Sequence, residues 1–587
     1  MTSPPGSNPT KKRLGRKRLP PLAPGPRLQF VVANHPDDFK ADDTMRNIRS
    51  HVMYKHRAVE QRKSNSPGDR SKSREGSARP AITRTPSPMT TTSDGILEDN
   101  SALTVTRRRS TIWDGDFHSY MAQSAQMGQV RSLAARIISA TTSEPARSAP
   151  PTFYEGREYP FPSSSSTGQE LFASSSSAGQ ESLEDLKNLY LENMEFFRAD
   201  RSWMEIVCSS RMSFLSHVSV TCVYQDVTEG YLDDSALTVY AKTKVLRMVK
   251  DSLQGFDTGS DDFTILSVLH LLISEVGGFD EDVFDVHQEG LVRIVHQRGG
   301  INNLGLNGAI ATFLTLIILS FSVLRGHAEP AMLHEFFPSR RQSAVIETPP
   351  PVSPLFCPHG DLSSIYGSCS DGTYGILCDM HELTRTFIVR WSYVGDVFPP
   401  RSSSELASYD AHMQQIYTRL LLRPSTDDEA TPDWVYESCR LTALIYCRSI
   451  VHGVPLAESG SVIHARSSGV DISDIAAHDT ELTLLQALHN ALDNTDKAGC
   501  WGDIMGGVFH WICLVGGSAS WQSFPSAFGE RDEFQTSGAW VKKNFALFAV
   551  KAALSPGFVH AAANVEAQRT MLQIQSLINL KRGIASQ

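Results

Sequence analysis

The chain has 587 residues, 41% of them hydrophobic and 20% charged, with a formal net charge of −9 and nine cysteines. That length exceeds what one hydrophobic core usually fills, so folded and unfolded stretches must share it. The sparse cysteines, several in apolar surroundings, argue against a disulfide-stapled secreted scaffold, and the N-terminus lacks an apolar targeting segment.

Charge is unevenly placed. Residues 1–63 carry 14 Lys and Arg against 5 Asp and Glu, a net of +9, so the rest of the chain is strongly acidic and the two ends face different partners. Residues 1–27 read as a disordered basic tail. Within it Lys11, Lys12, Arg13, Arg16, Lys17 and Arg18 form a Pro-flanked cluster of the kind an import receptor reads, which predicts a nuclear location. Residues 28–63 form a head whose segment Asp42 to Arg62 predicts a basic helix, with an apolar stripe of Met45, Ile48, Val52 and Met53. Asp37, Asp38, Asp42 and Asp43 lie at or before its start and the cations toward its end, an order that helix-dipole electrostatics favours without any nucleic acid. Arg46, Arg49, Lys55 and Arg57 are the candidates for contact with nucleic-acid phosphates.

From 64 to 180 the chain is rich in Ser, Thr, Pro, Gly and Arg, a composition that cannot repay its ordering entropy by burial, and it reads as disordered linker. One island interrupts it. Residues 111–140 hold Trp113, Phe117, Tyr120, Val130, Leu133, Ile137 and Ile138, enough for one or two short helices that dock on a core.

From 181 to 583 the pattern turns helical. Ser182 followed by Asp185 resembles a capping box, ahead of one face carried by Leu183, Leu186, Leu189, Tyr190, Met194 and Phe197. A second segment is expected at 200–221. A helix apolar nearly all round is expected at 261–276, and an amphipathic one from Val283 to Val295, stopped by Gly299-Gly300. Asn302 to Leu324 has no charged residue in 23 positions; its Asn- and Gly-rich start leaves about 16 helical residues from Ala309, short for a bilayer and suited to the centre of a bundle. Further helices are predicted at about 403–422, 433–450, 476–493, 502–523, 533–552 and 559–582, the last ending on Lys581, Arg582 and Gly583. The best strand signal is Phe387 to Tyr393. The fold class is all-α: a large multi-helix domain behind a basic, Ser/Pro-rich N-terminal region.

Chemistry is little in evidence. No G-x-S-x-G, H-E-x-x-H or G-x-x-x-x-G-K-S/T occurs, so no enzyme and no cofactor is read. His270, His287 and His296 fall on or near apolar helical faces, and Asp261-Asp262 and Glu281-Asp282 stand where helices start, so packing and capping explain them. Cys357, His359, Cys369, Cys378 and His381 gather soft ligands in 25 residues, but their spacing fits no zinc module and the Pro-rich surroundings read as loop; no metal is assigned.

Three segments, GLVRIVHQRGGINNLGLNGAI at 290–310, ESCRLTALIYCRSIVHGVP at 437–455 and CWGDIMGGVFHWICLVGGSAS at 500–520, taken in that order, resemble the fungal transcription-factor domain, the helical regulatory domain usually found behind a zinc binuclear cluster. The head FVVANHPDDFKADDTMRNIRSHVMYKHR resembles that of a subgroup without the cluster. Such a cluster needs six close cysteines, and the first cysteine here is Cys208. The resemblance implies a nuclear regulator or co-regulator whose helical domain contacts transcription-related proteins, with homo- or hetero-dimerisation among its roles. DNA contact by the head would then be weak and non-specific; no membrane partner is read. The alternatives are a sequence-specific DNA binder using the basic helix and a helical scaffold unrelated to DNA. Within the resembling segments, Glu437 and Arg440 have salt-bridge spacing, Gly506, Gly507, Gly516 and Gly517 suit close helix approach, and Trp501, Phe509, Trp511 and Trp521 offer large buried area.

Overall fold

Among the described residues, serine and aspartate side chains cap several helix starts, glycine ends a few helices, and apolar residues recur at helical spacing between them. The computed structural model describes residues 129–143, 182–193, 201–255, 261–278, 281–338, 349–392, 402–426, 431–464, 482–496, 499–502, 504–521, 533–555 and 560–585. The basic tail, the head and the 64–110 linker segment lie outside them. Among the described residues every regular element is helical, apart from two isolated β-bridges.

The first group comprises α1 (Gln129–Ser143), α2 (Leu183–Asn193), α3 (Arg201–Ser209), α4 (Arg211–Thr228), α5 (Ala236–Gln254), α6 (Asp262–Glu275) and α7 (Glu281–Gln297). The capping box at Ser182 is reciprocal: Asp185 N–H donates to Ser182 Oγ at 3.1 Å and Ser182 N–H to the Asp185 carboxylate at 3.3 Å. The segment expected at 200–221 is two helices, α3 and α4, bent by 116° at Ser210. Helix α5, which the pattern did not predict, is capped by Ser235. Asp261 caps α6 through the Thr264 N–H, and Gly299 and Gly300 close α7 with φ of +81° and +102°. Helices α4 and α6 form the centre of this group, with α1, α3 and α5 packed on α4 and α7 on α6.

Helix α8 (Ala309–Arg325) joins this group to the rest. Every residue from Ala309 to Leu324 is buried. The stretch Leu306–Arg325 is long and apolar enough to cross a bilayer, yet 83% of its most apolar window is buried by other helices, as expected of a bundle centre. Leu306, Asn307 and Gly308 all have positive φ and turn the chain into α8, while Gly326, at φ +65°, ends it.

The second group holds α9 (Asp371–Trp391), α10 (Ser403–Leu421), α11 (Trp434–His452), α12 (Leu456–Gly460) and α13 (Leu484–Asp493), packed around α11. Helix α9 corrects the expected strand. Phe387 to Trp391 is its last turn and a half, and the side of the helix carrying Ile376, Leu377, Met380, Leu383 and Phe387 is buried, so tertiary packing overrides the β propensity of the local sequence. Cys378 and His381, read as loop residues, sit on the same helix.

Helices α14 (Gly506–Ser520), α15 (Glu533–Leu554) and α16 (Ala561–Ala585) close the bundle over α8. Gln568 on α16 donates to the Leu316 carbonyl (3.0 Å) and Ser320 Oγ (2.8 Å), and Gln575 to the Val323 carbonyl (2.9 Å), so two amides lace α16 to α8. Helix α16 does not stop at Gly583. It continues to Ala585, and Lys581 donates to the carbonyls of Ile450 (3.0 Å) and Val451 (2.7 Å), completing the C-terminus of α11 in place of its own.

The glycines of α14 are places of close approach. A Cβ on Gly507 would lie 2.5 Å from the Val352 carbonyl oxygen, on Gly516 2.5 Å from the Phe545 ring, and on Gly517 2.2 Å from Leu324 Cδ2. Helix propensity alone would make alanine better than glycine by about 1 kcal/mol. We expect the clash to reverse the sign, Gly507→Ala and Gly516→Ala each costing about 1–3 kcal/mol. Gly290→Ala on α7, where a Cβ meets nothing within 4 Å, should instead stabilise. Urea-unfolding midpoints check the contrast, and equal signs for all three would refute it.

Candidate functional site

Lys11, Lys12, Arg13, Arg16, Lys17 and Arg18, and likewise Arg46, Arg49, Lys55 and Arg57, lie outside the described residues. The buried titratable groups of the helical domain are therefore the ones whose geometry can be followed.

Lys242, on α5, reaches Asp234 at 2.6 Å and Glu275 at 2.9 Å, and Lys543, on α15, stands 3.7 Å from Asp234 and donates to the Leu232 carbonyl. Burial opposes the charges of Lys242, Lys543 and Asp234. For Lys242 the two carboxylates outweigh it and raise the pKa, whereas for Lys543 burial prevails over Asp234 and lowers it. Asp234 is likewise opposed by burial but held below its ordinary pKa by the two lysines. The cluster pins the α4–α5 turn and α6 against α15.

Asp226 has a similar part. Its carboxylate accepts from the Ser235 N–H (2.9 Å), Thr238 Oγ1 (2.6 Å) and Arg131 (2.7 Å), tying α1 and the start of α5 to α4. On α11, Arg440 donates to Glu437 through Nε (2.9 Å) and Nη2 (2.6 Å), the pairing expected from the spacing, and the carboxylate also accepts from the Thr426 N–H and Ser425 Oγ. Burial works against the Glu437 charge, but these donors hold its pKa below the usual value. Arg569 on α16 is ion-paired with Glu329 and donates to the carbonyls of Leu333 and Phe336, fastening the chain that follows α8.

The histidines are interior groups. His217 Nδ1 hydrogen-bonds the Tyr190 hydroxyl at 2.8 Å, His270 Nδ1 hydrogen-bonds Ser216 Oγ at 2.8 Å, and the two rings meet edge to face with centroids 5.3 Å apart. Burial pushes His217 down to about 3, His510 down to about 4, and His270 well below its ordinary value, so all three are neutral at physiological pH. His296, by contrast, is exposed in the last turn of α7.

Asp261 and Asp262 have the roles expected at a helix start. Asp261 caps α6, while Asp262 accepts from the Gly305 N–H and from Arg298, binding α6 to the turn before α8. Glu281 at the start of α7 pairs with Lys542 and Arg325. In the Cys/His-rich stretch, Cys357, Cys369 and Cys378 are half-buried against the core; burial raises all three thiols, a condition opposed to thiolate chemistry. Among the described residues no three His, Cys, Asp or Glu side chains are grouped to hold a metal ion. A small cavity of about 130 Å³ lies between the ends of α8 and α14 and the start of α12, walled by Leu324, Leu456, Trp521, Gln575 and Ile578.

Sequence reading missed Arg131, Asp226, Lys242, Lys543 and Arg569. Of these only Arg131 left a signal, its place on the apolar island of the linker. The three segments singled out earlier fall on structural joints: 290–310 spans the end of α7, the left-handed turn and the start of α8; 437–455 is α11 with its terminating turn; 500–520 is α14 and its approach.

Residues 209–497 match the model of the fungal specific transcription factor domain, from the end of α3 to just beyond α13. No curated protein and no solved structure matches the chain. Residues 209–497 therefore carry a fungal specific transcription factor domain.

Proposed function

We propose that the chain is a nuclear transcriptional regulator or co-regulator that works mainly through protein contacts of its helical domain. The observation that carries this reading is the family match over 209–497, on an acidic helical body separated by a long Ser/Pro-rich segment from the cations of residues 1–63. Residues 1–207 contain no cysteine, so they offer no thiolates for a zinc cluster, and the cations of the head supply phosphate attraction without base readout. The cluster at 11–18 serves import. The family match favours a non-catalytic role, and the buried carboxylates, lysines and histidines described above are engaged in holding helices together.

Three measurements on the full-length protein test this. Replacing Lys11, Lys12, Arg13, Arg16, Lys17 and Arg18 by alanine should move a tagged protein toward the cytoplasm. Binding to random duplex DNA through about four phosphates has a salt slope near −3.6, so affinity should fall roughly 150-fold between 50 and 200 mM salt. Neutralising Arg46, Arg49, Lys55 and Arg57 should abolish it, while chromatin profiling finds occupancy without a private motif. A reproducible motif that survives physiological salt and depends on those four residues would establish direct sequence-specific binding instead.

A further inference from the structure

Helix α1 is an outlier in this domain. It lies well upstream of the matched segment, between the Ser/Pro-rich chain before it and a further 38 residues, 144–181, that contain the SSSSTG and SSSSAG runs. An isolated helix of about 15 residues is marginal in water. Helix α1 owes its form to docking: Leu133, Ala134, Ala135, Ile137 and Ile138 are buried against α4 and α2, with α5 at the margin. The polar part of the contact is equally specific. Arg131 grips Glu229 through Nε (3.0 Å) and Nη2 (2.6 Å), and Nη2 also reaches Asp226 (2.7 Å). The surface beneath is a groove with an apolar floor and an acidic rim, built to take an amphipathic helix.

We infer that this groove is a partner-binding surface of the helical domain and that α1 is its resident occupant, held there in cis. The partner it fits is an amphipathic helix with the same pattern, an arginine followed by apolar residues two, three, six and seven positions on. This deepens the interaction-module reading and rests on it. Because α1 belongs to the same chain as its groove, its binding there is intramolecular and a free helix must compete with it. Competing helices therefore gain access mainly when α1 is released, which makes α1 a gate on that contact.

The test uses the full-length chain and a fluorescent peptide of residues 127–145. Ile137→Asp with Ile138→Asp expels the resident helix and leaves the groove intact, so this chain should bind the peptide at least tenfold more tightly than wild type. Glu229→Arg added to it should weaken binding at least tenfold, and a peptide carrying Arg131→Glu should restore most of that loss. Equal binding to wild-type and released chains, or no rescue by the charge swap, would overturn the inference. Should the released chain fail to fold, a protease site placed in the 174–179 serine run of the wild-type chain gives a second route. After cleavage excess peptide should displace the N-terminal fragment; resistance to displacement, or a dimer exchanging this helix between copies, would refute occupancy in cis. These titrations score the groove in vitro, whereas the localisation and chromatin measurements score the regulatory role, so either can fail without the other.

Discussion

Replacing Arg440 by methionine is expected to destabilise the domain by about 3–5 kcal/mol, because it leaves a buried carboxylate without its counter-charge. Glu437 is 2% exposed and Arg440 6%, so water cannot take over the lost contacts. The remaining donors, the Thr426 N–H and Ser425 Oγ, satisfy lone pairs but supply no formal charge. Adding Glu437→Leu to Arg440→Met removes the stranded charge and should recover much of the loss, since an apolar pair of similar volume costs far less than a broken ion pair. Urea-unfolding midpoints of the two single variants and the double variant form the check. A single-variant loss below about 1 kcal/mol would mean that the pair is solvated, as an exposed pair would be.

Lowering the pH from 7 to 5 should remove roughly 4 kcal/mol of stability through His217 and His510, with His270 acting in the same direction. His217, His270 and His510 are buried neutral, two with pKa values of about 3 and about 4, whereas the unfolded chain protonates them near 6.5. The unfolded state therefore binds more protons below pH 6.5. Stability from these groups is fully present above that value, and is lost as pH falls toward 4 for His510 and toward 3 for His217. His217 and His510 each cost about 1.4 kcal/mol per pH unit in that window, or about 2 kcal/mol at pH 5. His217→Gln should reduce the loss between pH 7 and 5 by about 2 kcal/mol. A stability that stays level between pH 7 and 5 would show that the imidazoles titrate normally in the folded domain.

How far these features were legible in the sequence differs by element. Helices α6, α8, α11 and α16 declared themselves because their apolar residues recur at helical spacing, and Gly299-Gly300 marked the end of α7. Helix α9 did not: Thr386, Phe387, Ile388 and Val389 favour a strand locally, and the signal against it is Ser370, a helix cap lying well upstream. Helix α5 was obscured by Thr238, Val239, Tyr240 and Thr243 in the same way. The buried ions were illegible for another reason. Lys543 meets Asp234 and Leu232 across some 310 residues of chain, and no local spacing encodes such a meeting. Glu437 and Arg440 were legible because both partners sit within one turn of α11. The basic residues proposed for import and phosphate contact stand outside the described residues, so they rest on charge pattern alone.

The amide laces between α8 and α16 also bear on the order of events during synthesis. Helix α8, uncharged from Ala309 to Leu324, is complete at Arg325, but the helix that covers one flank and bonds its carbonyls ends only at Ala585. At about 5–20 residues per second, the ribosome takes roughly 13–50 s to make the difference. Throughout that interval an uncharged stretch, long enough for a bilayer, stands without its C-terminal cover. A chaperone or membrane surface can compete for it in that time, and a chain stopped before Ala561 never supplies that cover.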